Sequence, residues 1–364
     1  MSQAVGRPVR VQLSRKDEMA HENFGLAFVV DQRVGLDSDG NITAWDYEAW
    51  SPVRGGRPGY SQPGNQVTGF LAGFPPAPFA SRSPAPSPTG QFANGQNVVP
   101  SYVAGAILGV SGGTGTVRSE RMLARVVESP FWTGPLRSPN RLQNTFAHEC
   151  MMDELAAAVK ADPVEYRLRH LRDPRLQAVL QAAAKAAHWQ TRPSTARSDA
   201  GRNSGSAASR IVSGRGIACV LYEGDNGYCA MVAEVDVHLD TGLVHVKRLV
   251  MALDCGPISN PDGLRNQAEG GALHGVSRTL LEEVTWDNEK VTSVDWRTYR
   301  TFPVGFKIPQ LETVLINTMD AEANGAGETS ITVTPAAIGN AIFDATGVRL
   351  RQVPFTSARL KGLS

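Results

Sequence analysis

Two stretches of the chain alternate apolar and polar residues with the period of a β-hairpin. Residues 26–45 form the first, closed on Asp39 and Gly40, a dipeptide that tolerates the positive φ of a tight turn. Residues 229–250 form the second, around another Gly-containing turn. A shorter alternating run at residues 9–13 predicts a further strand, so the chain would begin inside a sheet. The likeness of the hairpins suggests two related halves.

Helical periodicity predominates between the two hairpins. Residues 145–159 repeat apolar side chains at helical spacing. Asp162 followed by Pro163 predicts the start of a second helix, because Asp is a favoured cap and Pro is favoured in the first turn. The same pairing recurs at Asp173-Pro174 and at Thr334-Pro335. Gly347 is expected to end the last of these helices.

Two segments are too poor in large apolar residues to pack as regular elements. Residues 69–95, crowded with Pro, Ala, Ser and Gly, predict an extended loop. Residues 194–213 have the composition of a linker and separate the helical stretch from the second β-rich stretch. We therefore expect a mixed α+β fold with a first domain at residues 1–193 and a second at residues 214–364.

Length, charge and cysteine spacing narrow the class of protein. The 364 residues are enough for two domains, and 36 Lys plus Arg against 35 Asp plus Glu give no field that would hold a nucleic acid. The four cysteines are far apart and form no Cys-x-x-Cys pair, so their spacing indicates neither a zinc site nor an iron–sulfur site. They are Cys150, Cys219, Cys229 and Cys255. No apolar run is long enough to span a membrane. A soluble chain is expected, with the cytoplasm favoured and the periplasm open through a partner or a preceding segment.

The main candidate for acid–base chemistry is Glu328, in a loop of small residues. Residues 324–330 read N-G-A-G-E-T-S, so the backbone of Gly325, Ala326 and Gly327 can approach a bulky ligand and turn its N–H groups toward it. A carboxylate there can serve as a base if its setting is partly desolvated. The alternative is an ordinary Gly-rich turn with a solvated glutamate.

Two further polar residues adjoin small or turn-forming residues. The amide of Gln267 can donate and accept hydrogen bonds to a heterocycle, while Gly270 and Gly271 also fit a helix that simply packs closely on a sheet. Arg137 lies in L-R-S-P-N, before the first long helix, where its guanidinium could bind an anion. The alternative is a surface arginine in a Pro-containing turn. His274 has no second ligand at metal spacing and is expected to be a packing or surface histidine.

Residues 109–113 formally fit the G-x-S-x-G pattern of a hydrolase nucleophile. Thr-Gly-Thr follows where a hydrolase needs a helix, so we expect a loop. The chain has neither a P-loop nor a convincing dinucleotide-binding fingerprint. Hydrolase and nucleotide-switch functions therefore have little support.

In their order along the chain, these motifs resemble one family, the molybdopterin-binding large subunits of xanthine dehydrogenases and aldehyde oxidases. Within it they are similar to the branch of isoquinoline 1-oxidoreductase and nicotinate dehydrogenase. The matching segments are residues 6–19, 136–140, 146–156, 162–171, 233–237, 267–271, 325–328 and 340–350. The resemblance implies the C-terminal half of such a subunit, with two molybdopterin-binding type α/β domains of which the first is incomplete.

The resemblance also implies the chemistry of the site. Glu328 matches the family's active-site glutamate, a base that takes a proton while an electron-poor C–H carbon is hydroxylated with oxygen from water. The implied cofactor is molybdenum–molybdopterin, in its cytosine dinucleotide form, and the metal is held by the cofactor rather than by protein ligands. Cofactor contacts are implied at Arg137, Gln267, Gly270, Gly271, Gly325, Ala326, Gly327, Thr329 and Ser330.

Substrate and partners follow from the same resemblance. Purine-oxidising members carry an arginine shortly after the segment that matches residues 15–19, and this chain has Gly25 there. An N-heteroaromatic or an aldehyde is therefore expected, with His21 or Glu22 lining its pocket. Electrons would pass to a small [2Fe–2S] subunit.

Family large subunits are much longer, and their upstream part supplies the Gly-rich loops that complete the cofactor cradle. Either Met1 is an internal start, or a separate polypeptide supplies the first half. The rival hypothesis is a catalytically inactive truncated fragment that binds a partner chain or does not fold stably alone.

Overall fold

The computed structural model describes residues 1–52, 85–86, 100–104, 114–127, 133–193, 210–222 and 227–361. Helices and two four-stranded sheets form the mixed α+β fold that the sequence predicts. Most of the predicted loop at residues 69–95 lies outside the described residues, as do residues 194–209 of the predicted linker and the whole of residues 109–113. The division into two domains stays a prediction.

The first sheet contains the first predicted hairpin. Its strands are β1 (Val29–Leu36), β2 (Ile42–Pro52), β3 (Ala85–Pro86) and β4 (Ser119–Val127). They lie in the order β1-β2-β4-β3, with β1 antiparallel and β4 parallel to β2. In the β1–β2 turn the Asp37 carboxylate accepts backbone N–H groups of Asp39 and Asn41, and Gly40 has a φ of 77°. The hairpin prediction is confirmed.

The predicted strand at residues 9–13 is wrong. This segment lies exposed between two short helices, α1 (Ser2–Val5) and α2 (Arg15–His21), and belongs to no strand of the described residues. Its backbone is extended enough for Arg10 Nη2 to donate to Gln12 Oε1 at 2.7 Å, two residues on. A strand also needs a neighbouring edge to take its backbone hydrogen bonds, and the alternation of side chains carries no information about that edge.

Three helices follow the first sheet. They are α3 (Arg141–Ala158), α4 (Pro163–His170) and α5 (Pro174–Ala186). The carboxylates of Asp162 and Asp173 each accept two backbone N–H groups in the first turn of the following helix, which confirms both predicted starts. The helix predicted at residues 145–159 begins four residues earlier, at Arg141. The apolar repeat did not reveal this start because the first turn is mostly polar.

The second sheet contains the second predicted hairpin. Its strands, in spatial order, are β5 (Ile211–Leu221), β6 (Tyr228–His238), β7 (Leu243–Asp254) and β8 (Gln310–Ile316). The first three are antiparallel neighbours, and β8 runs parallel to β7. Gly242 in the β6–β7 turn has a φ of 69°, so this hairpin prediction is also confirmed. The remaining helices are α6 (Pro261–Leu280), α7 (Thr329–Thr346) and α8 (Ser357–Lys361).

The predicted helix start at Thr334-Pro335 is wrong, because α7 begins at Thr329 and Pro335 lies inside it. An interior proline removes one backbone hydrogen bond and would usually end a helix. Here packing compensates, since all but two of the residues of α7 are buried and its backbone lies directly on β5. A Cβ added at Gly216 of β5 would lie 2.2 Å from the backbone N of Ala341. Gly347, with a φ of 70°, ends the helix as predicted.

The second sheet is buried on both faces. One core joins β2, the helices α3 to α5 and the side chains of Ile217 and Cys219. The other core joins α6, α7 and the alternate side chains of the same strand, Ala218 and Val220. Strands covered on both faces are typically apolar throughout. The C-terminal half of β5, the N-terminal half of β6 and the C-terminal half of β7 have this character. Across the described ranges, each helix is too short or too polar to cross a membrane.

Candidate functional site

Glu328 is the residue immediately before the first turn of α7. Its carboxylate accepts two hydrogen bonds, one from the backbone N–H of Ser138 to Oε1 at 3.0 Å and one from the Tyr222 hydroxyl to Oε2. Its carbonyl oxygen accepts the Thr332 hydroxyl at 2.6 Å, one turn along the helix. The side chain is half-buried. Glu328 is thus not a freely solvated side chain, which was the alternative left open by the sequence.

The turn that precedes α3 holds this carboxylate. Ser138 and Asn140 have φ values of 64° and 66°, a region that residues other than glycine seldom adopt. The Ser138 hydroxyl lies 2.6 Å from Thr332 Oγ1 on α7. The guanidinium of Arg141 donates to the carbonyl of Leu221 at 3.0 Å, at the end of β5 and directly before Tyr222. One turn therefore contacts both Glu328 and the strand end that carries its second donor.

The Arg137 guanidinium joins the loop before Glu328 to α6. Its Nε donates to the carbonyl of Gly327 at 2.6 Å and its Nη2 to the carbonyl of Gln267 at 3.3 Å. The amide of Gln267 also donates to Gly327 O, at 3.3 Å. Burial lowers the pKa of Arg137, and the neighbouring Glu328 opposes that effect. The carbonyl of Arg137 in turn accepts the Arg278 guanidinium at 2.8 Å.

Glycine allows α6 to approach α7 closely at this point. A Cβ added to buried Gly271 would lie 2.3 Å from Ser330 Oγ and 3.1 Å from Arg137 Nη2. The Ser330 hydroxyl donates to the carbonyl of Ala268 at 2.7 Å, across the same contact. Gly270, one residue earlier, is exposed and would meet no atom within 4 Å. Gly271 therefore serves the helix contact, whereas Gly270 borders open space.

The loop ahead of Glu328 leaves its backbone accessible. Gly325 is exposed, and Ala326 and Gly327 are half-buried. The loop is tied down through the Asn324 N–H, which donates to the carbonyl of Cys255 at 2.8 Å. Thr329 is fully buried, and its hydroxyl has no hydrogen-bond partner within the described part of the chain. Buried hydroxyl groups usually have a partner, so this one is a candidate for contact with a further group.

The predicted site residues thus fall into two groups. Those predicted to contact the cofactor lie around Glu328, on α6, α7, the turn before α3 and the loop at residues 325–327. His21 is exposed, and its ring contacts the carbonyl of Asp17 in its own helix. Glu22 is also exposed, and partial desolvation of its carboxyl group raises its pKa, with Glu18 adding to the effect. The place of His21 and Glu22 in a substrate pocket stays a prediction.

Sequence reasoning missed the two donors to the Glu328 carboxylate. The donor of Ser138 is a backbone N–H, which leaves no trace in the identity of a side chain. Tyr222 follows a strand and precedes the turn-forming residues 223–227, E-G-D-N-G, and that position is the one signal that marks it. Neither could be assigned without the fold.

Comparison with known proteins identifies the family of this chain. Two families, both described as molybdopterin cofactor-binding domains, match residues 149–305 and residues 1–64. A nicotinate dehydrogenase component from Pseudomonas putida is 34% identical over 371 residues, which cover 99% of this chain and 28% of that protein. The chain belongs to the molybdopterin-binding large-subunit family of xanthine dehydrogenase and aldehyde oxidase. The predicted family is confirmed.

Further members of that family agree in sequence and in fold. The beta subunit of isoquinoline 1-oxidoreductase from Brevundimonas diminuta is 32% identical over 59% of this chain and 26% of its own length. The fold matches the aldehyde oxidoreductase of Desulfovibrio gigas with a TM-score of 0.71 at 16% identity, over 100% of this chain and 52% of that one. The chain spans about a quarter of the length of these curated relatives.

Proposed function

We propose that this chain is the catalytic portion of a molybdenum hydroxylase. In this proposal Glu328 is the base that takes a proton while a C–H bond of an N-heteroaromatic or an aldehyde is oxidised with oxygen from water. The observation that carries it is the position of the Glu328 carboxylate in a member of a molybdopterin-binding family. The carboxylate is half-buried at the start of α7 and is held by two neutral donors. The substrate classes come from the resemblance and from the names of the relatives.

The setting of the carboxylate suits a group that must gain and lose a proton. Each carboxylate oxygen can accept two hydrogen bonds, so one donor on each leaves capacity to take up a proton. Both donors, the Ser138 N–H and the Tyr222 hydroxyl, are neutral. The guanidinium groups of Arg137 and Arg278 are near enough to interact with Glu328 electrostatically, but both direct donors to its carboxylate are uncharged. These two donors orient the group.

The residues around Glu328 fit a molybdopterin group. Gly270 borders open space, the backbone of residues 325–327 is accessible, and the exposed Gln267 side chain lies beside them. The unpartnered hydroxyl of Thr329 lies next to Glu328 in sequence. We propose that these groups bind the cofactor in its cytosine dinucleotide form. When bound, it supplies the oxygen-transfer and electron-accepting chemistry that side chains lack.

A polypeptide partner is part of the proposal. Apolar side chains of the first 13 residues are exposed, with Val9 at 40%, Val11 at 62% and Leu13 at 54%. Exposed apolar side chains grouped in one segment suit a surface that another chain covers. We propose that a polypeptide equivalent to the additional length of the relatives covers it, and that a small [2Fe–2S] subunit takes the electrons.

The test is co-expression of this chain with its proposed partners, followed by molybdenum, pterin and nucleotide analysis. We expect molybdenum and pterin in proportion to the chain. Glu328→Gln should lower turnover by about 10²–10⁴-fold, the usual contribution of a general base, without loss of either component. Glu322→Gln, a change to an exposed side chain of the same loop, is the matched control and should keep its activity. Metal-free protein would refute the proposal and favour the inactive fragment. An active Glu328→Gln variant would also refute the proposal, because Glu328 would then not be the base.

A further inference from the structure

Tyr222 is a buried phenol whose hydroxyl donates to Oε2 of Glu328, and it is 3% exposed. We propose that Tyr222 is the positioning residue for the base: it keeps the Glu328 carboxylate in one orientation before and after proton uptake. The inference rests on the proposed function, because it gives Tyr222 a role only through Glu328.

The two donors to the carboxylate differ in what they can do after proton uptake. The backbone N–H of Ser138 can only donate, so its bond to Oε1 requires an oxygen lone pair at that place. A phenol hydroxyl both donates and accepts, and it can rotate to accept from a protonated carboxyl group. The contact between Tyr222 and Glu328 can therefore persist in both protonation states of the base.

Tyr222 can hold the carboxylate because its own position is fixed from two sides. Its backbone N–H donates to the carbonyl of Gly227 at 3.0 Å. The carbonyl of the preceding Leu221 accepts the guanidinium of Arg141, a side chain that is 1% exposed. Arg141 lies three residues after Ser138, so both donors to the carboxylate depend on the same turn.

Loss of the hydroxyl would free one end of the carboxylate. Only the hydrogen bond from the Ser138 N–H to Oε1 would remain, and the Glu328 carboxylate could pivot about that contact. A misplacement of about 1 Å in a reacting group can cost on the order of 10² in rate, so the effect should be visible in turnover. Because Tyr222 acts through the base, substrate binding should change little.

The chain offers a matched control in Tyr228. It lies on the neighbouring strand β6 and is 8% exposed, and its hydroxyl donates to the Asp173 carboxylate at 3.0 Å. Asp173 caps α5 and has no part in the proposed site. Both tyrosines thus donate to a carboxylate from a buried ring near the same end of one sheet, but only Tyr222 contacts Glu328.

The first experiment measures the contact without any turnover. Vibrational spectra of the co-expressed complex with ring-labelled tyrosine report the phenol C–O band, which depends on hydrogen bonding of the hydroxyl. The difference between wild type and Glu328→Gln should contain a labelled tyrosine band, assigned to Tyr222 through Tyr222→Phe. Asp173→Asn should leave that band in place and shift the Tyr228 band instead. A wild-type minus Glu328→Gln spectrum with no tyrosine band overturns the inference, even if Tyr222→Phe fails to fold.

The second experiment measures the role in the loaded complex. A hydrogen bond to a charged group is worth about 1.5–3 kcal/mol, so Tyr222→Phe should lower kcat by about tenfold to a hundredfold with KM unchanged. Tyr228→Phe should keep both constants. Wild-type kcat in Tyr222→Phe, with Glu328→Gln inactive, overturns this inference and leaves the proposed function standing. An active Glu328→Gln variant refutes the proposed function itself.

Discussion

Glu149 and Glu328 accept the same kinds of donor, a tyrosine hydroxyl and a backbone N–H, but among the residues that the structure describes only Glu149 has a third partner. Its carboxylate accepts the Tyr102 hydroxyl at 2.6 Å and the Cys219 N–H at 3.0 Å. It also accepts the Nε of Arg167 at 2.8 Å, a residue with no exposed surface. Glu149 itself is 1% exposed. Two neutral donors thus orient each carboxylate, and a buried guanidinium contacts one of them directly.

The third partner separates a structural carboxylate from one suited to proton transfer. Burial alone would lower the pKa of Arg167, yet the carboxylates of Glu149 and Asp153 hold it well above its ordinary value. Arg167 therefore stays charged, and its contacts with Glu149 and Asp153 join α3, α4 and β5. Glu328 is half-buried, and both direct donors to its carboxylate are neutral groups that fix its position.

The largest expected effect comes from removing the charge of Glu328. Glu328→Gln should lower turnover of the loaded complex by about 10²–10⁴-fold, since the amide cannot take a proton. Its unfolding temperature should stay at the wild-type value, because no buried ion pair is broken. Kinetics and thermal unfolding of the same preparation check both halves. A variant that loses stability along with turnover would place Glu328 with Glu149 as a structural carboxylate.

Glu149→Gln should have the opposite outcome. The change removes one of the two buried carboxylates that pair with Arg167 and leaves Asp153 as the other, so the loss of unfolding free energy should be up to about 3–5 kcal/mol. Urea unfolding measures this loss, and turnover per cofactor-loaded molecule should be kept. Glu165→Gln, at an exposed position of α4, is the control and should stay within about 0.5 kcal/mol of wild type. An unchanged midpoint for Glu149→Gln would contradict the assigned role of the cluster.

The features predicted correctly from the sequence were local ones. Asp162 and Asp173 cap helices because their side chains reach backbone groups two and three residues away. The strand at residues 9–13 failed because pairing depends on a distant edge. The start of α7 failed because Pro335 is a good local start signal, whereas burial against β5 outweighs the lost hydrogen bond.

The same distinction applies to the site. Glu328, Arg137 and Gln267 are predicted site residues because their motifs resemble those of a family. The Ser138 N–H and the Tyr222 hydroxyl reach Glu328 across 190 and 106 residues of chain. Such contacts depend on how α3, β5 and α7 pack, and no spacing along the sequence encodes them.

Adjacent glycines on α6 test how closely the cofactor-side helix must approach Glu328. Gly271→Ala should lower the unfolding free energy by about 1–3 kcal/mol, the usual cost of overpacking, because its Cβ would lie 2.3 Å from Ser330 Oγ. Gly270→Ala meets no atom within 4 Å, so stability should hold or rise by up to about 1 kcal/mol. Its molybdopterin content should fall, since the methyl group would enter the proposed binding surface. Equal stability of the two variants would contradict the close contact of α6 and α7.

The smallest expected effect extends the comparison to His170, a buried group that, like Glu328, has neutral hydrogen-bond partners. Its Nε2 accepts the Ile42 N–H at 3.0 Å, and its Nδ1 lies 2.9 Å from the carbonyl of Tyr166, which assigns the ring proton to Nδ1. Burial lowers the pKa of His170 below its ordinary value.

The sign of the pH dependence follows from that lowered pKa. Below a pH of about 6.5 the unfolded chain binds a proton at this histidine that the folded chain does not bind. The unfolding free energy therefore decreases as the pH is lowered, until the folded ring is protonated too. This loss should appear as a slope of unfolding free energy against pH. His170→Gln should remove that slope, while His188→Gln, at an exposed position, should keep it. If the slope survives in His170→Gln, the acid sensitivity belongs to another group. Burial of His170 among neutral partners would then not be the cause of the pH dependence.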